Sequence, residues 1–123
     1  MRILVTADLH YDVSRSRDSV ERLAGEVCRT AADALILVED TAGRDLNVFG
    51  GALKLFSDFR GRKLLVPGNH CLWCRQGEDS MVRYEQHLPN LAAEHDFTVL
   101  DHEPLVLNGV GLVGSIGWYD YSF

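Results

Sequence analysis

Residues 34–40 read ALILVED, an apolar run that ends directly at two acids, Glu39 and Asp40. A short, continuous apolar run bounded by polar residues is typical of a strand that is buried on both faces. Two similar runs occur in the first half of the chain, at residues 3–5 and at residues 64–66. The sequence therefore predicts three buried strands, each of which ends in a polar loop.

Helical patterns separate these strands. Apolar residues recur at helical spacing over residues 20–31, and a second helical pattern covers about residues 47–59, with Gly61 as its predicted C-terminal cap. Buried strands that alternate with helices predict a parallel sheet whose strands are joined by right-handed crossovers. The fold class predicted from this order is α/β.

The second half of the chain has a different pattern. A third helix, broken near Pro89, is followed by predicted strands at residues 97–100, 105–107 and 110–116. Asn108-Gly109, between the last two strands, is typical of a tight hairpin turn. The parallel strands are therefore expected to be followed by a C-terminal hairpin, which would leave an exposed sheet edge.

Composition narrows the class of protein. The 123 residues are 46% hydrophobic and 24% charged, values that predict a single globular domain over residues 1–123. Eighteen acids against twelve bases give a net charge of −6, which argues against broad binding of duplex nucleic acid. The apolar runs are too short for a membrane span or a secretory signal, and the odd number of cysteines, three, favours the reducing cytoplasm.

Polar residues that can bind metals follow each of the three predicted strands. They are Asp8 and His10, then Glu39 and Asp40, then Asn69 and His70. Each of them alone is an ordinary cap or turn residue. However, the carboxyl ends of parallel strands meet at one edge of a sheet, and carboxylates brought together repel unless a cation lies between them. The set therefore predicts a site for divalent metal such as manganese, iron, zinc or magnesium.

Local geometry is predicted for two of these segments. The side chains of Asp8 and His10 would point the same way if their segment is extended, with Leu9 turned to the core. Gly68 would allow a tight turn that directs the two residues after it back to the sheet edge.

Together the three segments resemble the first three motifs of the calcineurin-like metallophosphoesterases, which are D-x-H, G-D-x-x-D and G-N-H-[DE]. Residues 8–10, Asp40 within residues 37–43, and residues 67–70 match these motifs in order and at similar spacing. The resemblance runs from residue 1 to about residue 74, with family-like character in residues 114–121.

This resemblance implies an α/β/β/α sandwich with a two-metal site that hydrolyses small phosphate mono- or diesters. By the same resemblance, Asp8 and His10 would hold the first metal, Asp40 would bridge both metals, and Asn69 would ligate the second. His70 would act as a proton donor or would stabilise the transition state. The cofactors would be two divalent ions, drawn from manganese, iron, zinc and magnesium.

The chain departs from the family pattern at several positions. Glu39 stands where the family has Gly, at a cost on the order of 1 kcal/mol or more if the backbone there needs a positive φ. Gly43 stands where the second Asp of the motif would be, with Asp45 two residues late. Cys71 replaces an acid that normally orients the catalytic imidazole. The later histidine motifs of the family do not occur in the sequence, so the chain is expected to be a truncated domain with weak or absent activity.

Other functions remain open from the sequence. A non-catalytic module of the same fold would bind a partner, or a second copy of itself, through its open sheet edge. Cys71 and Cys74 form a C-x-x-C pair. Such a pair can be a redox or a zinc site, but two incidental thiols are the more common explanation. An aromatic cluster at residues 118–121 could stack a base, although packing is the more common role of such residues.

Overall fold

The structure, a computed structural model, describes residues 1–117 and confirms the predicted α/β class. Within this range the strands are β1 (Ile3–Ala7), β2 (Ala34–Glu39), β3 (Arg62–Pro67), β4 (Phe97–Val99), β5 (Leu105–Leu107) and β6 (Val110–Leu112). The α-helices are α1 (Arg17–Arg29), α2 (Leu46–Lys54), α3 (Ser80–Val82) and α4 (Leu88–Glu94). The predicted aromatic cluster at residues 118–121, with the end of the family-like segment, lies outside the described residues.

The first four strands form one parallel sheet in the order β1-β2-β3-β4. The register pairs Ala7 with Val38, and Val38 with Val66, so the first three strands end at nearly the same level. Because these strands all run in one direction, the loops after them emerge along a single edge of the sheet. This edge carries the three loops that hold the predicted metal ligands.

The residues of β2 alternate between two hydrophobic layers. Leu35 and Leu37 are fully buried in the main core, which they share with side chains of α1, α2 and α4. Ala34 and Ile36 belong to a smaller cluster on the other face, where the β5–β6 hairpin contributes its inward-facing leucines. A strand with both faces covered in this way reads as a continuous apolar run, as residues 34–38 do.

The C-terminal hairpin is confirmed. Strand β5 pairs with β6 in antiparallel orientation, and the turn residues Asn108 and Gly109 have φ values of 49° and 79°. Positive φ at both central residues is the requirement of the tight turns that favour Asn-Gly. Val106, opposite Gly111 on the outer face, is 72% exposed, and Val110, opposite Leu107 next to the turn, is 45% exposed, so the hairpin exposes apolar side chains.

Two predictions about individual elements are wrong. Strand β1 is not buried: Val5 is 62% exposed, because β1 lies at the edge of the sheet and pairs only with β2. Gly61 does not cap the second helix, which already ends at Lys54. Gly61 instead lies where a Cβ would come within 2.6 Å of the backbone oxygen of Ala32, so its role is to permit close packing of two loops.

The third helical region is broken, as predicted. A π-helical turn at Arg83–His87 separates α3 from α4, and Pro89 is the second residue of α4. Proline has no backbone N–H to donate to the preceding turn, so a change of helical geometry at this point is expected. Over residues 1–117, no helix has both the length and the apolar character needed to cross a membrane.

Candidate metal centre

Three of the predicted site residues meet at the carboxyl edge of the sheet. His10, Asp40 and His70 each offer one ligand atom, and these atoms lie within 4.8 Å of one another. Oδ2 of Asp40 is 2.7 Å from Nδ1 of His70 and 3.9 Å from Nε2 of His10. The Asp40 side chain is 8% exposed and both imidazoles are 31% exposed, so the cluster is open to solvent on the imidazole side.

Asp8 lies beside this cluster. Its Oδ1 is 3.9 Å from Nε2 of His10, and its side chain is 61% exposed. The prediction of an extended segment is wrong, because Asp8 and His10 have φ values of 54° and 45°. Leu9 is nevertheless buried in the core, as predicted. Two left-handed residues around a buried leucine therefore bring both polar side chains to the sheet edge.

Backbone hydrogen bonds hold the loop after β1 against the loop after β2. The N–H of His10 donates to the carbonyl oxygen of Asp40 at 2.9 Å, and the N–H of Tyr11 donates to that of Thr41 at 3.1 Å. The separation of His10 and Asp40 is consequently set by the main chain rather than by two flexible side chains.

Asp40 is also fixed by the loop after β3. Its Oδ1 accepts the backbone N–H of His70 at 2.9 Å, so both carboxylate oxygens contact the same residue. Gly68 permits this approach: a Cβ at Gly68 would collide with Oδ1 of Asp40 and would lie 2.7 Å from the carbonyl carbon of Glu39. The glycine is needed here because any side chain would push the two loops apart.

Glu39 has a φ of 64°, in the left-handed region that favours glycine. The backbone at Glu39 therefore has the positive φ for which a strain of about 1 kcal/mol is predicted. The carbonyl oxygen of Glu39 accepts the N–H groups of Thr41 (2.9 Å) and Gly68 (3.0 Å) and the S–H of Cys71 (3.4 Å). These donors hold the peptide in place and offset the strain.

Asn69 is exposed and lies on the neighbouring surface, where it lines a groove together with Trp73. It directly precedes His70 in the chain, at the start of the short 3₁₀ turn His70–Leu72. The structure thus brings His10, Asp40 and His70 together, places Asp8 beside them, and leaves Asn69 at the surface next to the cluster.

Comparisons with known proteins agree with this geometry. The family model described as calcineurin-like phosphoesterase matches residues 1–121. The chain belongs to this family. The crystal structure of phosphopantetheinyl hydrolase from Mycobacterium tuberculosis is similar to it, with a TM-score of 0.69 and 23% identity, over 87% of this chain and 38% of that chain. At this identity the likeness shows the fold, and the chain spans well under half of that relative. A comparison with curated proteins found no match.

Cys71, which replaces the motif acid of the calcineurin-like phosphoesterases, does not take over its function. The side chain is fully buried, and its thiol donates to the carbonyl oxygen of Glu39 rather than to His70. Burial raises the pKa of the Cys71 thiol. A redox cysteine needs the opposite shift, so this argues against the C-x-x-C pair as a redox site. The orientation of His70 is supplied by Asp40 instead.

Asp45 does not replace the motif acid missing at Gly43. Its Oδ1 accepts the N–H of Asn47 at 2.9 Å, which makes Asp45 the N-cap of α2. Its Oδ2 lies 3.0 Å from a guanidinium nitrogen of Arg75. Asp45 is therefore occupied in starting a helix.

Arg83 is a residue that positions the site and that the sequence pattern did not reveal. It is 1% exposed, and its guanidinium donates to the carbonyl oxygens of Cys71 (2.7 Å), Arg44 (2.9 Å) and Gly43 (3.0 Å). These contacts join the loop after β2 to the loop after β3. Arg83 is the first residue of the π-helical turn, where it is buried and Tyr84 is partly buried.

A cavity at the opposite end of the sheet is not the candidate metal centre. It has a volume of about 570 Å³ and is lined by Lys63 and Phe97, at the amino ends of β3 and β4. Ligands of open parallel sheets bind outside the carboxyl ends of the strands, where His10, Asp40 and His70 converge.

The donor set of the cluster fits divalent cations. Imidazole nitrogens and carboxylate oxygens are ligands of manganese, iron and zinc. Oδ2 of the nearly buried Asp40 carboxylate has an imidazole nitrogen of His10 and one of His70 within 4 Å, and Asp8 lies close to His10. Two carboxylates and two imidazoles gathered at a solvent-open edge are stabilised by a cation between them.

Proposed function

We propose that this chain hydrolyses small phosphate mono- or diesters at a site for two divalent metal ions. Asp8 and His10 would hold the first ion, Asp40 would bridge the two, Asn69 would ligate the second, and His70 would donate a proton. The observation that carries this proposal is the convergence of ligand atoms from His10, Asp40 and His70, which follow three adjacent parallel strands.

The environments of Asp40 and Asp8 support the positions proposed for them as metal ligands. Bound divalent cations would polarise the phosphoryl group and provide a nucleophile at neutral pH. Asp40 suits the bridging position because its carboxylate is nearly buried and is fixed by the His70 backbone. Asp8 is exposed and its carboxylate lies 3.9 Å from Nε2 of His10, which agrees with a ligand of one ion together with His10.

The contacts of His70 support its proposed part in proton transfer. Its Nδ1 lies 2.7 Å from Oδ2 of Asp40, which leaves Nε2 to serve the leaving oxygen of the ester. Trp73 packs edge-on against the imidazole, with 3.8 Å between the ring centroids, and so restricts rotation of the ring. Nε2 of His70 would give its proton to the oxygen that departs as the P–O bond breaks.

We further propose that residues 1–123 form one domain that supplies part of a complete phosphoesterase fold, since the chain aligns with 38% of the similar solved chain. The proposed ligands number four, whereas two such ions together take about ten or more. Weak activity is the expectation for this chain. Its three cysteines, Cys28, Cys71 and Cys74, are all free, which suits the reducing cytoplasm.

Metal-dependent hydrolysis of bis(4-nitrophenyl) phosphate tests the proposal. The wild-type chain should release 4-nitrophenol only with added Mn²⁺, and should bind Mn²⁺ in a calorimetric titration. Asp40→Asn should lose both properties, because it removes one negative charge from the centre of the cluster. Asp58→Asn, which changes an exposed acid far from the cluster, is the control. Equal rates and equal Mn²⁺ affinity in the two variants would refute the proposed site.

A second candidate function rests on the exposed apolar side chains of the hairpin and its surroundings. Val106 and Val110 of the hairpin are exposed, as are Val113, directly after β6, and Val5 of β1. A non-catalytic module would use this apolar surface to bind a partner or a second copy of the chain. In size-exclusion chromatography, a dimer that Val106→Lys converts to a monomer, together with absent Mn²⁺ binding, would favour this candidate over the hydrolase.

A further inference from the structure

An apolar groove begins next to the proposed proton donor. It has a volume of about 500 Å³, and its wall includes Leu72, Trp73, Met81 and Ile116, with Asn69 at one side. Trp73 and Met81 are 48% and 58% exposed, which is unusual for side chains of this size. Exposed apolar side chains gathered in a concave surface are typical of ligand-binding grooves.

The groove adjoins the candidate metal centre through Trp73 and Asn69. The indole of Trp73 stands edge-on against the imidazole of His70, with 3.8 Å between the centroids at an angle of 68°. Asn69, the residue before His70, lines the groove directly. A group bound in the groove against Trp73 would therefore lie beside His70.

The charge of the groove limits what it can bind. Glu78 is the charged residue among those that line it, and within residues 1–117 no lysine or arginine does so. The Glu78 carboxylate accepts the backbone N–H of Arg75 at 2.8 Å and lies 4.0 Å from the Arg83 guanidinium. A ligand with a second phosphate would be repelled by Glu78, whereas an uncharged apolar group would bury surface against Trp73 and Met81.

We propose that this groove binds the uncharged aryl or alkyl group of the phosphate ester, the part that leaves as a phenol or alcohol. This inference rests on the proposed function, because it places the phosphoryl group at the metal centre and the leaving oxygen beside His70. It argues against esters whose leaving group itself carries further phosphates.

Calorimetric titration with two non-hydrolysable probes, methylphosphonate and octylphosphonate, tests the inference in the presence of Mg²⁺. Octylphosphonate should bind at least about tenfold more tightly to the wild-type chain, because only its tail reaches the groove. Trp73→Ala and Met81→Ser should each remove most of this advantage, and Met81→Ser, which changes a side chain away from His70, should leave methylphosphonate binding unchanged. Both side chains are about half exposed, so the variants should fold. Val106→Ala, at an exposed valine of the hairpin, should keep the advantage.

The outcomes separate this inference from the proposed function. Equal affinity for the two probes, or an advantage that survives Trp73→Ala, would overturn the inference and leave the metal centre intact. Failure of both probes to bind would instead contradict the proposed function. In that case 1-naphthol is added to the metal-free chain while the indole N–H resonance of Trp73 is followed by NMR. A saturable shift would support an apolar site, and an unchanged resonance would overturn it.

Discussion

Both carboxylate oxygens of Asp40 contact His70: Oδ1 accepts its backbone N–H at 2.9 Å, and Oδ2 lies 2.7 Å from its Nδ1. The contact joins the loops after two neighbouring strands, so neither loop can move without breaking it. It also gives the imidazole the orientation that the family motif would otherwise obtain from an acid at the position of Cys71. Asp40 is thus both a proposed metal ligand and the residue that orients the proposed proton donor.

Replacement of His70 should reveal a proton-donor role through the leaving group. His70→Gln should lower the rate for an ester with an alkyl leaving group by about a hundredfold or more, because an alkoxide leaves poorly without a proton. The loss should be much smaller for 4-nitrophenolate, which is a stable anion. Rates for both esters and Mn²⁺ affinity are measured together, with the exposed His87→Gln as the control. A parallel loss of metal affinity would identify His70 as a ligand instead.

Removal of Arg83 should separate the two loops that carry the site. Arg83→Met leaves three carbonyl oxygens, two of them in buried contacts, without their donor, and we expect a loss of about 3 kcal/mol or more in the free energy of unfolding. Mn²⁺ affinity should fall as well. Urea denaturation measures the stability. Arg75→Met removes an exposed pair with Asp45, and its effect should stay below about 1 kcal/mol. Similar losses in the two variants would contradict the positioning role of Arg83.

Relief of backbone strain at Glu39 should stabilise the protein. Glycine adopts a φ of 64° without steric cost, so Glu39→Gly should raise the free energy of unfolding by about 1 kcal/mol. Glu39→Ala removes the same carboxylate but keeps a Cβ, and it should gain much less. Thermal denaturation of the three proteins provides the comparison. A gain from alanine as large as that from glycine would show that charge, not strain, dominates at this position.

Tyr84 should make stability depend on pH in the alkaline range. Burial, and then the charge and hydrogen bond of Asp101, raise the pKa of Tyr84 above its ordinary value of 10.0. The folded state therefore holds the phenolic proton more tightly than the unfolded state does. This contribution is fully present below the ordinary pKa and is lost as the pH rises through the raised value.

Tyr84→Phe removes this titration. Urea denaturation at pH 8 and at higher pH should show a steeper decline for the wild-type chain than for Tyr84→Phe. The variant also loses the 3.3 Å hydrogen bond from the Tyr84 hydroxyl to Asp101, so it should be less stable at pH 8. Parallel curves for the two proteins would exclude Tyr84 as the source of the decline.

Several parts of the candidate site follow from local sequence because they are consequences of order along the chain. Parallel strands that end at residues 7, 39 and 67 bring the loops after them to one sheet edge, wherever the rest of the chain packs. The convergence of Asp8, His10, Asp40 and His70 is predictable on that ground. The groove beside Asn69 is not, because its wall combines the loop after β3 with Met81 and Ile116, which are distant in sequence.

The sequence by itself determined the α/β class, the hairpin turn at Asn108-Gly109 and the identity of the residues at the sheet edge, because each depends on short-range periodicity or turn chemistry. Only the tertiary structure decided that β1 is an exposed edge strand, that Arg83 is buried between two loops, and that Asp40 orients His70. The physical reason is that burial and hydrogen-bond partners are set by residues distant in the chain.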